Sequence, residues 1–111
     1  MAYKILGQVR PADTSNNDLY AVPADGQAVI STLHLANTTQ VSARATVFVR
    51  KFDGSLAAAS AANTVISQVV VAPGSPISFT IGITLAAGDT VTVQADIADT
   101  ITFHAYGSEI E

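Results

Sequence analysis

The stretch PISFTIGITLAAGDTVTV, residues 76 to 93, alternates apolar side chains with mostly hydroxyl-bearing ones and breaks that pattern at Ala-Ala-Gly-Asp. Side chains two residues apart in a β-strand lie on the same face, so the alternation predicts strands with one buried face, joined by a turn. Together with the alternating segment near the C-terminus, it predicts one core that contains Ile77, Phe79, Ile81, Ile83, Val91, Val93, Ile101 and Phe103.

Short strands separated by turn residues are predicted along the rest of the chain. The strands outside the hairpin are expected at residues 3 to 9, 19 to 22, 28 to 37, 43 to 52, 65 to 72 and 100 to 110. Loops are expected at residues 10 to 18, which are rich in Pro, Asp, Ser and Asn, and in the Ala-rich stretch 55 to 64, which could also be an edge segment. About eight strands without a strong helix indicate an all-β fold, a single β-sandwich over residues 1 to 111 of jelly-roll or immunoglobulin-like topology.

The alternation also assigns side chains to faces within two of these strands. In residues 28 to 37 it places Val29, Leu33 and Leu35 on one face and Ile30 and His34 on the other. In the last strand it turns His104 and Tyr106 outward, opposite the core side chains. The outward positions are expected to form an almost uncharged sheet surface that includes Thr46, Thr80, Thr84, Thr92, Thr100 and Thr102.

The composition favours contact with other proteins. Hydrophobic residues make up 49% of the chain and charged residues 13%, against roughly 25% charged residues in an average soluble domain. The polar surface must therefore consist mainly of Thr, Ser, Asn and Gln, whose burial against a partner needs less desolvation than that of ions. Such a surface is suited to assembly, and outward sheet surface of this kind predicts controlled self-association.

Charge and hydropathy argue against several other partners. The net charge of −4 and the single basic pair Arg50-Lys51 leave no footprint for nucleic acid. No segment has the length of a membrane span, and the first residues lack the apolar stretch of a signal peptide, so we expect no membrane partner and synthesis in the cytoplasm. The chain has no cysteine, which excludes disulfides and thiolate chemistry.

No motif predicts catalysis or a cofactor. His34 and His104 could meet Asp96 or Asp99 at a metal, but two strand histidines without a closely spaced third ligand favour half-exposed strand positions, so no metal site is predicted. The glycine-flanked serines do not form Gly-x-Ser-x-Gly, and the remaining carboxylates are expected to be solvated loop residues. The candidate interface residues are Tyr3, Tyr20, Arg50, Lys51 and Tyr106. For the tyrosines, whose rings combine apolar area with a hydroxyl group, packing in the core or at a sheet edge is the alternative.

The order of several short strings resembles small virion structural proteins of tailed bacteriophages. These strings are MAYKILGQVRP at the start, DLYAVP, QAVISTLHLAN, ATVFVR and TIGITLAAGDTVTV within the chain, and TFHAYGSEI at the end. The resemblance covers nearly the whole chain, with Tyr106 at a position where an aromatic or large apolar residue precedes GSEI. The Ala-rich residues 57 to 62 depart from it, because bulkier strand residues are expected there.

The resemblance implies a non-enzymatic virion component that is made in the host bacterium. One hypothesis is a capsid cement or decoration protein that binds the major capsid protein, for which the resemblance implies a homotrimer. The alternative is a tail, neck or baseplate accessory or fibre protein that binds a host receptor glycan. A small hydrolase is the enzyme hypothesis, and the absent motifs disfavour it.

Overall fold

The computed structural model describes the backbone of residues 3 to 110 and the side chains of residues 4 to 109. Within that range it contains eight strands and one short 3-10 turn, Ala61–Asn63. The strands are β1 (Tyr3–Val9), β2 (Asn17–Ala21), β3 (Gln27–Asn37), β4 (Ala43–Arg50), β5 (Thr64–Val71), β6 (Ile77–Ala86), β7 (Thr90–Ala95) and β8 (Ile101–Ile110).

The strands form two four-stranded antiparallel sheets that pack face to face. The first sheet has the order β1-β8-β3-β6 and the second has the order β2-β7-β4-β5. Four strands in each sheet and repeated crossing between the sheets are the features of a jelly roll, whereas an immunoglobulin domain of the constant type has sheets of four and three strands. The all-β sandwich prediction is confirmed, and of its two predicted topologies the structure has the jelly roll.

The core lies between the sheets, and its burial depends on the position of each strand. Of the eight predicted core side chains, the four on β7 and β8 are at most 1% exposed. The four on β6 also point inward, but they are only half-buried. This difference arises because β7 and β8 are central strands, whereas β6 lies at the edge of its sheet.

A β-bulge in β3 makes part of the predicted face assignment wrong. Ile30 pairs with Gly107 of β8, but the register has shifted by one residue at Thr32, which pairs with Tyr106. Since one extra residue reverses the alternation, Ile30 points into the core and Val29 points outward. The prediction holds beyond the bulge, where Leu33 and Leu35 are buried and His34 lies on the outer face.

Two of the six threonines predicted to be outward sheet surface are buried instead. Thr92 lies on the central strand β7, where its hydroxyl donates a hydrogen bond to Asp18 at 2.9 Å and accepts one from Arg50 at 3.3 Å. Thr100 is buried in the turn before β8 and donates to the Ile97 carbonyl at 2.6 Å. Of the others, Thr80 and Thr84 are exposed, while Thr46 and Thr102 are half-buried.

The Ala-rich segment 55 to 64 forms a loop for most of its length, as predicted. An isolated bridge joins Phe52 to Leu56, and the 3-10 turn follows before β5 begins at Thr64. The Asn63 side chain ties this loop together, because its amide donates to the Ala58 carbonyl and its oxygen accepts from the Ser60 amide. Small alanine side chains supply too little apolar area to hold this segment in a sheet.

Candidate interaction face

The outer face of the first sheet presents aligned rows of side chains that cross from β1 to β6. Because neighbouring strands are in register, side chains from β1, β8, β3 and β6 stand side by side on this surface. We call it the histidine face. Its members with described side chains are Ile5, Gln8, Val29, Thr32, His34, Ala36, Ser78, Thr80, Thr84, Thr102, His104, Tyr106 and Ser108. None of them is Asp, Glu, Lys or Arg.

The central row of this face places four polar side chains next to one another, one from each strand. The Gln8 amide donates a hydrogen bond to His104 Nδ1 at 3.0 Å. His104 and His34 pair directly across β8 and β3, with ring centroids 5.9 Å apart. A hydrogen bond of 2.6 Å then joins His34 Nδ1 to Ser78 Oγ on β6. The row thus links all four strands of the sheet through side chains other than Asp, Glu, Lys and Arg.

His104 stacks on Tyr106, and burial lowers its pKa. The Tyr106 ring stacks on the imidazole with a centroid distance of 5.8 Å and an interplanar angle of 18°. Burial, and then the nearby His34 ring, hold the pKa of His104 below its usual value of 6.5. The imidazole of His104 therefore favours its uncharged form at neutral pH.

We expect acidification from about pH 7 to about pH 5 to lower the free energy of unfolding through His104. In this pH interval His104 is protonated more readily in the unfolded chain than in the folded chain, because folding lowers its pKa. The free energy of unfolding that His104 contributes above its ordinary pKa is therefore lost as the pH falls through the lower pKa of the folded state. Urea unfolding at several pH values measures this loss, and His104→Gln should make the dependence shallower. An NMR titration that places the pKa of His104 above 6.5 would contradict the assignment.

His34 and His104 lie beside each other on the histidine face. Asp96 and Asp99, the aspartates with which they could have formed a metal site, lie elsewhere. Asp96 and Asp99 lie in the β7–β8 connection, where Asp96 accepts a hydrogen bond from the Arg44 amide at 2.7 Å and the Asp99 amide donates to the Pro11 carbonyl at 2.9 Å. Among residues 3 to 110, no group of three or more His, Asp or Glu side chains is placed to hold a metal ion.

The three tyrosines proposed as interface anchors occupy different environments. Tyr106 is half-buried on the histidine face, where its ring is available at the surface. Tyr20 is buried in the core, the environment that was the alternative for this residue. The backbone of Tyr3 pairs with Ser108, but its side chain lies outside the described part of the chain.

Tyr20, Lys4 and Glu109 form a polar cluster, and each comes from a different string of the phage resemblance. Its hydroxyl donates a hydrogen bond to the Glu109 carboxylate, which also pairs with the Lys4 ammonium group. The hydrogen bonds from Lys4 and then Tyr20 lower the pKa of Glu109, while burial and this carboxylate raise the pKa of Tyr20. Lys4, Tyr20 and Glu109 thus connect one residue from each of these strings and contribute to the fold.

Arg50 and Lys51, the two basic candidate interface residues, lie in different environments. Arg50 donates to the Ala57 carbonyl at 2.7 Å and forms an ion pair with Asp18 at 3.6 Å. These contacts hold the loop after β4 against the second sheet, so Arg50 is engaged within the chain. Lys51 is exposed in the turn after β4.

The second sheet carries a polar cavity of about 350 Å³ on its outer face. The lining residues are Thr14, Arg44, Thr46, Gln68, Gln94 and Asp96. Gln68 has a φ of 49° inside strand β5, a left-handed backbone conformation that is rare for a residue with a side chain. It lies at a β-bulge, a feature that redirects side chains next to functional sites in other proteins.

Sequence reasoning found His34, His104 and Tyr106 but not their partners on the histidine face. Ile5, Gln8 and Ser78 complete the rows, and each comes from a strand distant in sequence from β8 or β3. A period-two pattern shows that such a side chain points outward, but it does not show which strand lies beside it. The pairing of β1 with β8 and of β3 with β6 is the missing information.

Comparisons with known proteins give only distant structural likenesses. No family model and no curated protein matches the chain. The fold is similar to a chain in the structure of infectious bursal disease virus Gt strain, with 13% identity, 97% of this chain covered and a TM-score of 0.49. A chain in the structure of infectious bursal disease virus Gx strain has 13% identity, 96% coverage of this chain and a TM-score of 0.40. This chain spans about a third of their length, 32% and 36% respectively.

Proposed function

We propose that the protein is a non-enzymatic structural component of a phage virion, a capsid cement or decoration protein that binds the major capsid protein as a symmetric trimer. The observation that carries this proposal is the histidine face, which is four strands wide and has no charged side chain among its described members. The resemblance of the sequence to small phage virion proteins supplies the virion setting and the number three.

Physical chemistry supports such a face as a contact with a protein shell. Hydroxyl and amide side chains such as Thr, Ser and Gln exchange water for protein hydrogen bonds at a lower desolvation cost than ions. Tyr106 adds a rigid aromatic ring of the type that dominates binding energy at interfaces. Each contact can be weak, because a symmetric oligomer on a symmetric shell multiplies the effective affinity.

The direct test is binding to shells from which the protein has been removed. We expect Ile5→Lys to raise the dissociation constant for such shells, measured by cosedimentation, by at least about tenfold. The reason is that burying an unpaired ammonium group at an interface costs several times the thermal energy. Ile5 is 56% exposed, so the fold should tolerate this change. Phe52→Lys, on the loop after β4, is the control and should bind like the unmodified protein.

Two further outcomes bear on the same proposal. His34→Gln combined with His104→Gln, in the presence of a chelator, should still bind shells, because the amide keeps the face neutral and polar. Absence of the unmodified protein from shells, or dependence of binding on a stoichiometric metal, would overturn the proposal. Electron cryo-microscopy of intact particles would locate the protein on them.

The polar cavity of the second sheet favours a second candidate, a tail or baseplate accessory that binds a host glycan. Arg44, Gln68 and Asp96 offer a guanidinium donor, an amide and a carboxylate acceptor, groups that suit neighbouring sugar hydroxyls. Binding of an oligosaccharide by the unmodified protein but not by Arg44→Ala, together with density on the tail, would support this function over the first.

Within residues 3 to 110, no helix has the length and apolar character required to cross a membrane.

A further inference from the structure

Charged residues are absent from one continuous third of the sequence. All five Lys and Arg residues and all nine Asp and Glu residues lie outside residues 54 to 88. This uncharged segment contains the whole of β5 and β6 and the turn between them. A segment of this length without charge is unusual for a surface strand pair, since charge is the common means of keeping exposed strands soluble.

The fold places the two uncharged strands along the same side of the sandwich. β5 is the last strand of the second sheet and β6 is the last strand of the first. Inter-sheet contacts join β3 to β5 and, on the other side, β1 and β8 to β2, so β5 and β6 lie at corresponding edges. We call strands β5 and β6 together the open edge.

Apolar surface remains accessible along the open edge. The inward side chains of β6 and those of Ile66 and Val69 on β5 pack against the core but are only half-buried. Val65 and Val70 of β5 are 49% and 48% exposed. In addition, each edge strand has one row of backbone amide and carbonyl groups that no neighbouring strand of its sheet pairs.

The opposite edge of the sandwich is built differently. There β1 carries Lys4 and β2 carries Asp18, and both side chains form ion pairs. The backbones of the two sheets also approach closely, because a Cβ atom at Gly7 would lie only 2.1 Å from the Leu19 carbonyl oxygen. The two edges therefore differ in chemistry, because β1 and β2 carry ion-paired side chains and approach each other closely, whereas β5 and β6 carry no charge.

We propose that the open edge is the surface through which copies of this chain associate with one another. An edge strand offers alternating donors and acceptors, and another edge strand matches them. An uncharged surface lacks a complement of opposite sign, so its best partner is another uncharged edge strand. Pairing of β5 in one copy with β6 in the next is a head-to-tail contact, the kind that a cyclic trimer requires. This inference deepens the proposed function, because it names the contact that would hold the oligomer together.

Single charges at the open edge should separate the copies. We expect Val65→Lys and Val70→Glu each to shift sedimentation equilibrium at tens of micromolar from the oligomer towards the monomer, with at least a tenfold weaker association constant. One variant adds a positive charge and the other a negative charge, so a loss of association in both would reflect burial of the edge and not attraction to one sign of charge. Residue 70 pairs with Arg44 across the β4–β5 ladder, so the new carboxylate of Val70→Glu can pair with this guanidinium group in the separate chain. Ile5→Lys, at the opposite edge, is the control and should stay associated.

Hydrogen exchange provides a second measurement on the unmodified protein. Amides of β6 that point away from β3 should become protected as the concentration rises, and this gain should be absent from Val65→Lys. A strictly monomeric unmodified protein would overturn the inference, as would oligomers that survive both changes or that Ile5→Lys alone dissociates.

These outcomes are separable from a failure of the proposed function. Self-association without shell binding would retain the open edge as the contact between copies and remove the cement role. Shell binding by a monomer that Val65→Lys abolishes would assign the open edge to the capsid protein and overturn the inference while the cement role stands.

Discussion

Gly107→Ala is expected to destabilise the protein by roughly 3 kcal/mol or more, at or beyond the upper end of the usual cost of overpacking a core. A Cβ atom at this position would lie 1.9 Å from the Val29 carbonyl oxygen and 3.0 Å from the Ile30 Cα atom. Both are backbone atoms of β3, so no side-chain rotation can relieve the clash. The central strands β3 and β8 would have to separate, and the hydrogen bonds between them would weaken. Urea unfolding should show a strongly lowered midpoint or no folded baseline.

Gly82→Ala is the matched control for this change. Gly82 is also a strand glycine of the first sheet, but nothing lies within 4 Å of its hypothetical Cβ atom. Alanine restricts the unfolded chain more than glycine does, so this variant should be unchanged or more stable by up to about 1 kcal/mol. Equal unfolding midpoints for the two variants would contradict the close approach of β8 to β3.

The role of Gly107 could not be predicted from the local sequence. The string YGSEI is part of the phage resemblance, but nothing in it distinguishes a strand glycine from the glycine of an ordinary turn. Gly107 pairs with Ile30, next to the bulge in β3, and this contact connects two strands that are far apart in the sequence. Local spacing carries no information on such a contact, because the pairing of β3 with β8 is set by the topology of the whole sandwich.

The sequence predicted the strands better than it predicted their burial. Period-two alternation located the β6–β7 hairpin and the inward side of β8, since neither segment reverses its faces. It failed for Val29 and Ile30, where a single extra residue reverses the pattern. It also failed for Thr92, which alternation places on the outer face but which Asp18 and Arg50 cover.

The candidate site was predicted in part. His34, His104 and Tyr106 could be placed outward from alternation alone, but the direct pairing of the two histidines depends on the register of β3 against β8. The same holds for the open edge, because absence of charge in residues 54 to 88 is visible in the sequence only as composition. It becomes a surface when the fold makes β5 and β6 edge strands.

The last prediction compares two phenylalanines that differ mainly in strand position. Phe103 and Phe79 both point inward from the first sheet, but Phe103 lies on the central strand β8 and is 1% exposed, whereas Phe79 is half-buried on the edge strand β6. We expect Phe103→Ala to cost about 3 to 5 kcal/mol and Phe79→Ala roughly 1 to 3 kcal/mol, because less apolar area and a smaller cavity are involved at the edge.

The measurement that separates these values is urea unfolding at low protein concentration, where copies of the chain are apart. A domain of this size has a total stability of roughly 5 to 15 kcal/mol, so Phe103→Ala should remove a large share of it and lower the urea midpoint more than Phe79→Ala does. Equal costs for the two changes in separate chains would show that β6 is covered within a single chain, contrary to the fold. If the open edge is buried between copies, the cost of Phe79→Ala should instead rise with concentration relative to that of Phe103→Ala, because association would complete the burial of Phe79 alone.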